Sequence, residues 1–277
     1  MSIRQNREPL GDPACPKQRE RPRPTVALTG RPTPRKRASS SVRCVCDDLS
    51  TMKTYWHIPG PKQACPTHCW AFYKYDGSNL RFEWSRRQGW YKFGTRYTVF
   101  DGSSRQWGHA VDLFLHAYGD DLERVFRDQA SYRGIERATA YCEHFGPSSF
   151  AGWHDYDELR RAGELVLFDV AVHKRGFVLP ADFLRDFGHL RVPELINEGP
   201  FTAEFVEGVR RGRYPVREGV VAKGIALGKK QNPQHGLWMA KVKTRWWLAE
   251  LKRRAAESDV FRQTLEENLR EQGCEAA

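Results

Sequence analysis

Lys74 stands two residues before an Asp-Gly pair in YKYDGSNLRF (residues 73–82), inside an otherwise aromatic, strand-like run. An Asp-Gly between apolar alternations is a hairpin signal, and lysines flank hairpins commonly. The alternative is a nucleophilic amine held at the mouth of a pocket. Four further segments carry groups of the kind such an amine would need: YCEHFG with Glu143, LFDV with Phe168 and Asp169, EGVVAK with Glu218 and Lys223, and KVK with Lys241 and Lys243. Taken singly, Glu143 reads as a solvated strand residue, Phe168 as core, and the strand-end lysines as edge protection. In LWMAKVK, strand alternation puts Lys241 and Lys243 on one face with Met239, and Trp238, Ala240 and Val242 on the other. Two adjacent ammonium groups repel and imply a nearby anion. The same alternation puts Glu218 and Lys223 on opposite faces, so they share a site only if Glu218 sits in the turn before the strand.

The elements that position these residues follow from periodicity. Aromatic and β-branched runs between Gly-containing turns predict strands near 70–75, 79–84, 90–93 and 97–100, with Leu80, Phe82 and Trp84 on a buried face. Three- and four-residue spacing of Val111, Phe114 and Leu115, then Leu122, Val125 and Phe126, predicts two helices broken near Gly119. Strands resume at ATAYCEHF and ELVLFDVAVH, the latter apolar enough for a central position. Short helices near 180–187 and 202–211 lead to the strands of EGVVAK and KVK, and the end of the chain is charged and helical.

Of the 277 residues, 40% are hydrophobic, enough for a substantial core. The net charge is +11, but residues 1–43 hold eleven Lys or Arg against three acids, so most of the excess is in that segment. Its Arg, Pro and Ser content without apolar periodicity predicts a disordered basic tail over 1–48. A polyanionic partner fits such a tail, as does simple solvation. Absence of a long apolar run or a secretory apolar region predicts no membrane association and a cytoplasmic location. The seven cysteines (15, 44, 46, 65, 69, 142, 274) read as free thiols, because CVC followed by CPTHC matches no strong zinc spacing.

In order, KYDGSN, a strand with Glu143 before Phe-Gly, an aromatic-Asp strand, EGVVAK and KVK resemble the covalent nucleotidyltransferase superfamily of polynucleotide ligases and capping enzymes. The resemblance covers roughly residues 70–243. Asn79 at the sixth motif position, EHFG after a strand, and KFGTR with Arg96 are most similar to nick-sealing, ATP-dependent RNA ligases. It implies an α+β fold of the ligase nucleotidyltransferase type, with two mainly antiparallel sheets around a nucleotide groove and flanking helices. The corresponding division is a tail (1–48), a nucleotidyltransferase domain (49–245) and a short helical C-terminal appendage (246–277). Similar DNA ligases and capping enzymes carry an OB domain after KxK, for which 34 residues are too few.

The resemblance also implies roles. Lys74 would attack the α-phosphate of ATP to form lysyl-AMP, which would pass to an RNA 5′-phosphate before a 3′-hydroxyl displaces AMP, the joining step of RNA repair. Lys223, Lys241 and Lys243, with Mg2+ or Mn2+, would depress the Lys74 pKa and stabilise phosphate charge. Phe168 and Val221 would sandwich the adenine, Glu143 would accept from the ribose, and Asn79 and Arg96 would contact ribose, phosphates or the strand end. Glu218 would hold the metal or orient the nucleophile, and Asp76 would hold the lysine or the metal. Asp169 is either structural or metal-linked. Arg86, Arg87, Lys92, Arg96, Lys229 and Lys230, with Arg210, Arg211 and Arg213, are candidates for a cationic track for RNA, including a nicked duplex or RNA/DNA hybrid. The implied enzyme is a monomer. The alternatives are DNA joining by the same chemistry, or a non-catalytic nucleic-acid-binding protein on the same fold.

Overall fold

Among the described residues, ten strands divide between two antiparallel sheets. A computed structural model of the chain describes residues 55–62, 68–226 and 236–273. The basic segment 1–48, Lys229 and Lys230, and all cysteines except Cys69 and Cys142 lie outside the described residues. The strands are β1 (Cys69–Lys74), β2 (Ser78–Ser85), β3 (Gly89–Thr95), β4 (Val99–Phe100), β5 (Arg137–Phe145), β6 (Glu164–Val172), β7 (Gly176–Phe177), β8 (Leu195–Gly199), β9 (Gly219–Ile225) and β10 (Leu237–Lys243). One sheet has the order β10-β9-β1-β8, the other β4-β3-β2-β5-β6-β7. The class is α+β. The helices are α1 (Gly108–Phe114), α2 (Asp120–Asp128), α3 (Tyr156–Ala162), α4 (Pro180–Phe187), α5 (Ala203–Arg210), α6 (Arg245–Ala255) and α7 (Asp259–Gln272).

The Asp-Gly turn does not close a hairpin. β1 pairs with β8 and β9, whereas β2 pairs with β3 and β5, so Tyr75–Gly77 carries the chain from one sheet to the other. The hairpin signal is local, and pairing partners are chosen by burial of each strand's face. Leu80, Phe82 and Trp84 do form that face, packing on Phe114, Leu122 and Phe126 of α1 and α2 and on Phe183 and Phe187 of α4. Helices α1 and α2 are not separated at Gly119. Leu115–Gly119 forms a π-helical turn that joins them, and the Trp90 indole donates to the Gly119 carbonyl at 3.0 Å. A side chain bonded into the helical ladder stabilises such a widened turn where a glycine break was expected.

The four-stranded sheet is sharply two-faced. Cys69, Ala71, Val220, Ala222, Trp238, Ala240 and Val242 form one side and pack on Phe205, Val206 and Val209 of α5. Cross-strand register then stacks three rows on the other side: Trp70, Lys223 and Met239; Phe72, Val221 and Lys241; Lys74, Gly219 and Lys243. Directly opposed residues share a face, so the lysines of three separate motifs form one patch. Within the last row Gly219 (φ +154°) separates Lys74 from Lys243, and a Cβ there would lie 1.9 Å from the Val242 carbonyl oxygen. Gly219→Ala should therefore cost about 3 kcal/mol through backbone strain and overpacking, read as a lower urea midpoint at unchanged slope.

Candidate active site

Glu218 occupies the turn immediately before β9, the position in which it can meet the lysine face. It is 3% exposed, and its carboxylate accepts from Lys74 Nζ at 3.0 Å (Oε1) and 3.2 Å (Oε2) and from Lys243 Nζ. Burial raises the Glu218 pKa, but Lys243 and Lys74 outweigh it, so the carboxyl is held below its ordinary range. Lys243 is lowered to about 8, first by burial, with Glu218 opposing and Lys74 assisting. Its ammonium also sits 3.7 Å from the centre of the Trp247 ring, a cation–π contact from α6.

Lys74 itself behaves contrary to the sequence expectation. Burial lowers its pKa, but Glu218, Glu143 and Asp76 together raise it above that of an ordinary lysine. The cationic neighbours do not dominate, because Glu218 is in direct contact with the amine and the charges of Glu143 and Asp76 add to its effect. Glu143 faces Asn79 across the β2–β5 pairing. Burial pushes Glu143 up to about 7; Lys74 opposes this and Glu218 adds to it. Asn79 Oδ1 is buried and has no hydrogen-bond partner among the described residues. A buried acceptor without a partner is costly.

Asp76 is committed to the protein. Its Oδ1 accepts from the Ala151 N–H and its Oδ2 from the Trp247 indole, each at 2.7 Å. Ser78 Oγ and Ser149 Oγ lie 2.6 and 2.8 Å from the two ring nitrogens of His154, which ties the start of β2 to the loop bearing Ala151. Among the described residues no three His, Cys, Asp or Glu side chains gather in a metal-binding group. The anionic groups nearest Lys74 are Glu218, Glu143 and Asp76, of which Glu143 is the least engaged by protein donors.

Lys223 and Lys241 have separate counter-ions. Lys223 donates to the Phe168 carbonyl and to Asp169 Oδ1, both at 2.7 Å, and the Tyr55 hydroxyl donates to the other Asp169 oxygen. Burial pulls Lys223 down and Asp169 up, each opposed by the charge of the other. Phe168 is skipped in the β5–β6 pairing, a bulge that lets consecutive Phe168 and Asp169 both contact Tyr55. Lys241 pairs with Glu271 of α7 at 2.6 Å, and Glu271 also lies 2.6 Å from His57 Nε2. Tyr55, Trp247 and Glu271 were not singled out from sequence. Only the implied anion beside Lys241 and Lys243 pointed toward such partners.

Of the expected nucleic-acid residues, Arg210 and Arg211 stand at the end of α5, near Arg217 and Thr244, whereas those of the β2–β4 region lie elsewhere. Arg86 and Arg87 lie in the β2–β3 turn, at the opposite end of β2 from Asn79, and Arg86 donates to the Ile135 carbonyl. Lys92 is 5% exposed and stands opposite Glu83 in β3. Arg96 follows β3 near the β3–β4 turn.

No protein-family model matches the chain, and no curated protein matches its sequence. Its fold is similar to that of ATP-dependent ligases of known structure. One is a protein of Aquifex aeolicus assigned as an ATP-dependent DNA ligase (16% identity, TM-score 0.49, covering 77% of this chain and 57% of that one). Another is an archaeal ATP-dependent RNA ligase (15% identity, TM-score 0.49, covering 73% and 52%). A third is an RNA ligase of Naegleria gruberi with pyrophosphate (16% identity, TM-score 0.46, covering 68% and 52%). The chain thus spans little more than half the length of each.

The Glu143 environment gives a pH signature. Because its folded pKa of about 7 lies above the unfolded value of about 4.5, the folded chain retains a proton that the unfolded chain has lost in that window. Stability contributed by this group therefore falls as pH rises. Glu143→Gln should gain on the wild type between about pH 5 and about pH 7.5, measured as the difference in urea midpoints; a constant difference would contradict the assignment.

Proposed function

We propose that the chain is an ATP-dependent polynucleotide ligase that acts on RNA through a lysyl-AMP intermediate at Lys74. The observation that carries the reading is the convergence of Lys74 and Lys243 on one buried carboxylate, Glu218, with the unpartnered Oδ1 of Asn79 in the strand opposite Glu143. An amine in this setting is oriented from behind, with its lone pair directed into the groove once the proton leaves. Lys74 Nζ attacks the α-phosphorus of ATP; the N–P bond forms, the α–β bridging P–O bond breaks, and pyrophosphate departs. Lys243 and Lys241 supply cationic stabilisation to the phosphates, and Glu218 holds the nucleophile in line.

The free site keeps Lys74 protonated. A divalent cation arriving with the phosphates would supply the positive charge that lowers its pKa, with Glu143 and Glu218 the carboxylates within its reach. Asn79 and Glu143 suit the ribose hydroxyls. Phe168, with its carbonyl fixed by Lys223, and Val221, in the row between Lys223 and Gly219, suit the base. The adenylate would then pass to a 5′-phosphate, and a 3′-hydroxyl would displace AMP. The RNA preference rests on the resemblance at Asn79, EHFG and Arg96. DNA joining by the same steps is the competing substrate assignment.

Incubation of the full chain with α-labelled ATP and a divalent cation should give a covalently labelled protein, and Lys74→Ala should abolish the label. The initial rate should rise with pH between about 7 and 9, because the amine must lose its proton. Label from GTP alone, or persistent label in Lys74→Ala, would overturn the reading.

A further inference from the structure

A cleft of about 600 Å³ opens beside the start of α6, lined chiefly by Arg210, Arg211, Arg217, Thr244, Arg245 and Trp246. Four arginines line it, of which Arg210 donates to the Gln272 carbonyl at 2.7 Å, and the lining contains no carboxylate. Glu207, alongside, accepts from both Arg211 and Arg245 at 2.6 Å, which leaves a surplus of positive charge. Trp246 is 51% exposed, and the Arg217 guanidinium lies 5.0 Å from its ring centre. Solvated arginines are ordinary, but a half-exposed tryptophan among them exposes apolar area at a cost and presents a flat stacking surface.

The cleft is built from the flanks of the lysine site. Thr244 Oγ1 donates to the Arg217 carbonyl at 2.7 Å and the Thr244 N–H donates to the Glu218 carbonyl at 2.9 Å. Arg217 and Thr244 are thus the chain neighbours of Glu218 and Lys243, locked together. The cleft therefore borders the backbone of Glu218, from the end of the sheet where α5 ends and α6 begins.

We propose that this cleft binds a single polynucleotide strand, with a base stacked on Trp246 and its phosphates on the arginines. Guanidinium groups match phosphate oxygens, and stacking on an aromatic ring tolerates any base. An acidic peptide would satisfy the arginines but would leave the Trp246 plane unused. The inference rests on the polynucleotide reading above and names where that strand lies, away from the Arg86–Arg87 turn.

The test uses the full chain without ATP, so its outcome is separate from self-labelling: failure here leaves the lysyl-AMP reading intact, and failure of labelling leaves strand binding to be judged alone. A single-stranded RNA carrying 5-iodouridine is photo-crosslinked and the adduct mapped by mass spectrometry, and affinities are measured by fluorescence anisotropy. The adduct should fall on Trp246. Trp246→Ala should weaken binding about tenfold while Trp246→Phe retains most of it, and an abasic strand of equal length should bind about tenfold more weakly than RNA. Arg245→Gln should weaken binding and reduce its salt dependence. Adducts confined to other segments, or wild-type affinity in Trp246→Ala, would overturn the proposal. So would abasic strands or polyglutamate binding as well as RNA.

Discussion

The arrangement of the lysine-bearing sheet face depends on one buried carboxylate shared by two ammonium groups. Glu218 can reach both Lys74 and Lys243 because it precedes β9 rather than lying within it, and because Gly219 places no side chain between the two lysines. Removing one partner from a buried ionic set costs about 3–5 kcal/mol, since it strands the remaining charge. The antiparallel register of β1, β9 and β10 is therefore tied to the same contact that aims the amine. A single-residue slip of either flanking strand would move its lysine to the α5 side of the sheet.

The two C-terminal helices belong to this constraint. Trp247 donates to Asp76 while its ring supports Lys243, so α6 grips the lysine turn and the KVK strand at once. Phe150, Trp247 and Leu251, with Phe261 and Leu265 packed against them, form the small core beneath that grip. The end of α7 then covers β10, where the Gln272 side chain accepts from the Lys243 N–H and donates to the Lys241 carbonyl at 3.1 and 3.2 Å. Backbone groups of an edge strand are satisfied in this way, and Glu271 neutralises Lys241 from the same helical turn. The helices thus fix the geometry of the lysine turn and β10 in addition to extending the chain.

Much of this was legible in sequence where periodicity was strong. The alternation of LWMAKVK separated Lys241 and Lys243 from Trp238, Ala240 and Val242, and the condition that Glu218 occupy a turn is met. Local signals failed where tertiary pairing decided. Asp-Gly marked a turn but not which sheet would take β2, and Gly119 reads as a break unless the Trp90 hydrogen bond is known. The β6 bulge that turns Phe168 and Asp169 to the same side has no sequence signature, since it depends on register with β5. Charge alone does not reveal that Lys92 is buried opposite Glu83, because burial of a lysine depends on its cross-strand partner. Tyr55 and Trp247 were hidden for the same reason: each acts through contacts with residues distant in the chain, such as Asp169 at 114 positions and Asp76 at 171 positions.

The central claim is that the amine held by Glu218 becomes covalently adenylated. The most direct measurement is peptide mapping of the full chain after incubation with ATP and a divalent cation, under alkaline conditions that preserve a phosphoramidate. An AMP adduct is expected on the peptide containing Lys74, released by acid or by added pyrophosphate. An adduct on another lysine, or nucleotide bound without any covalent adduct, would contradict it.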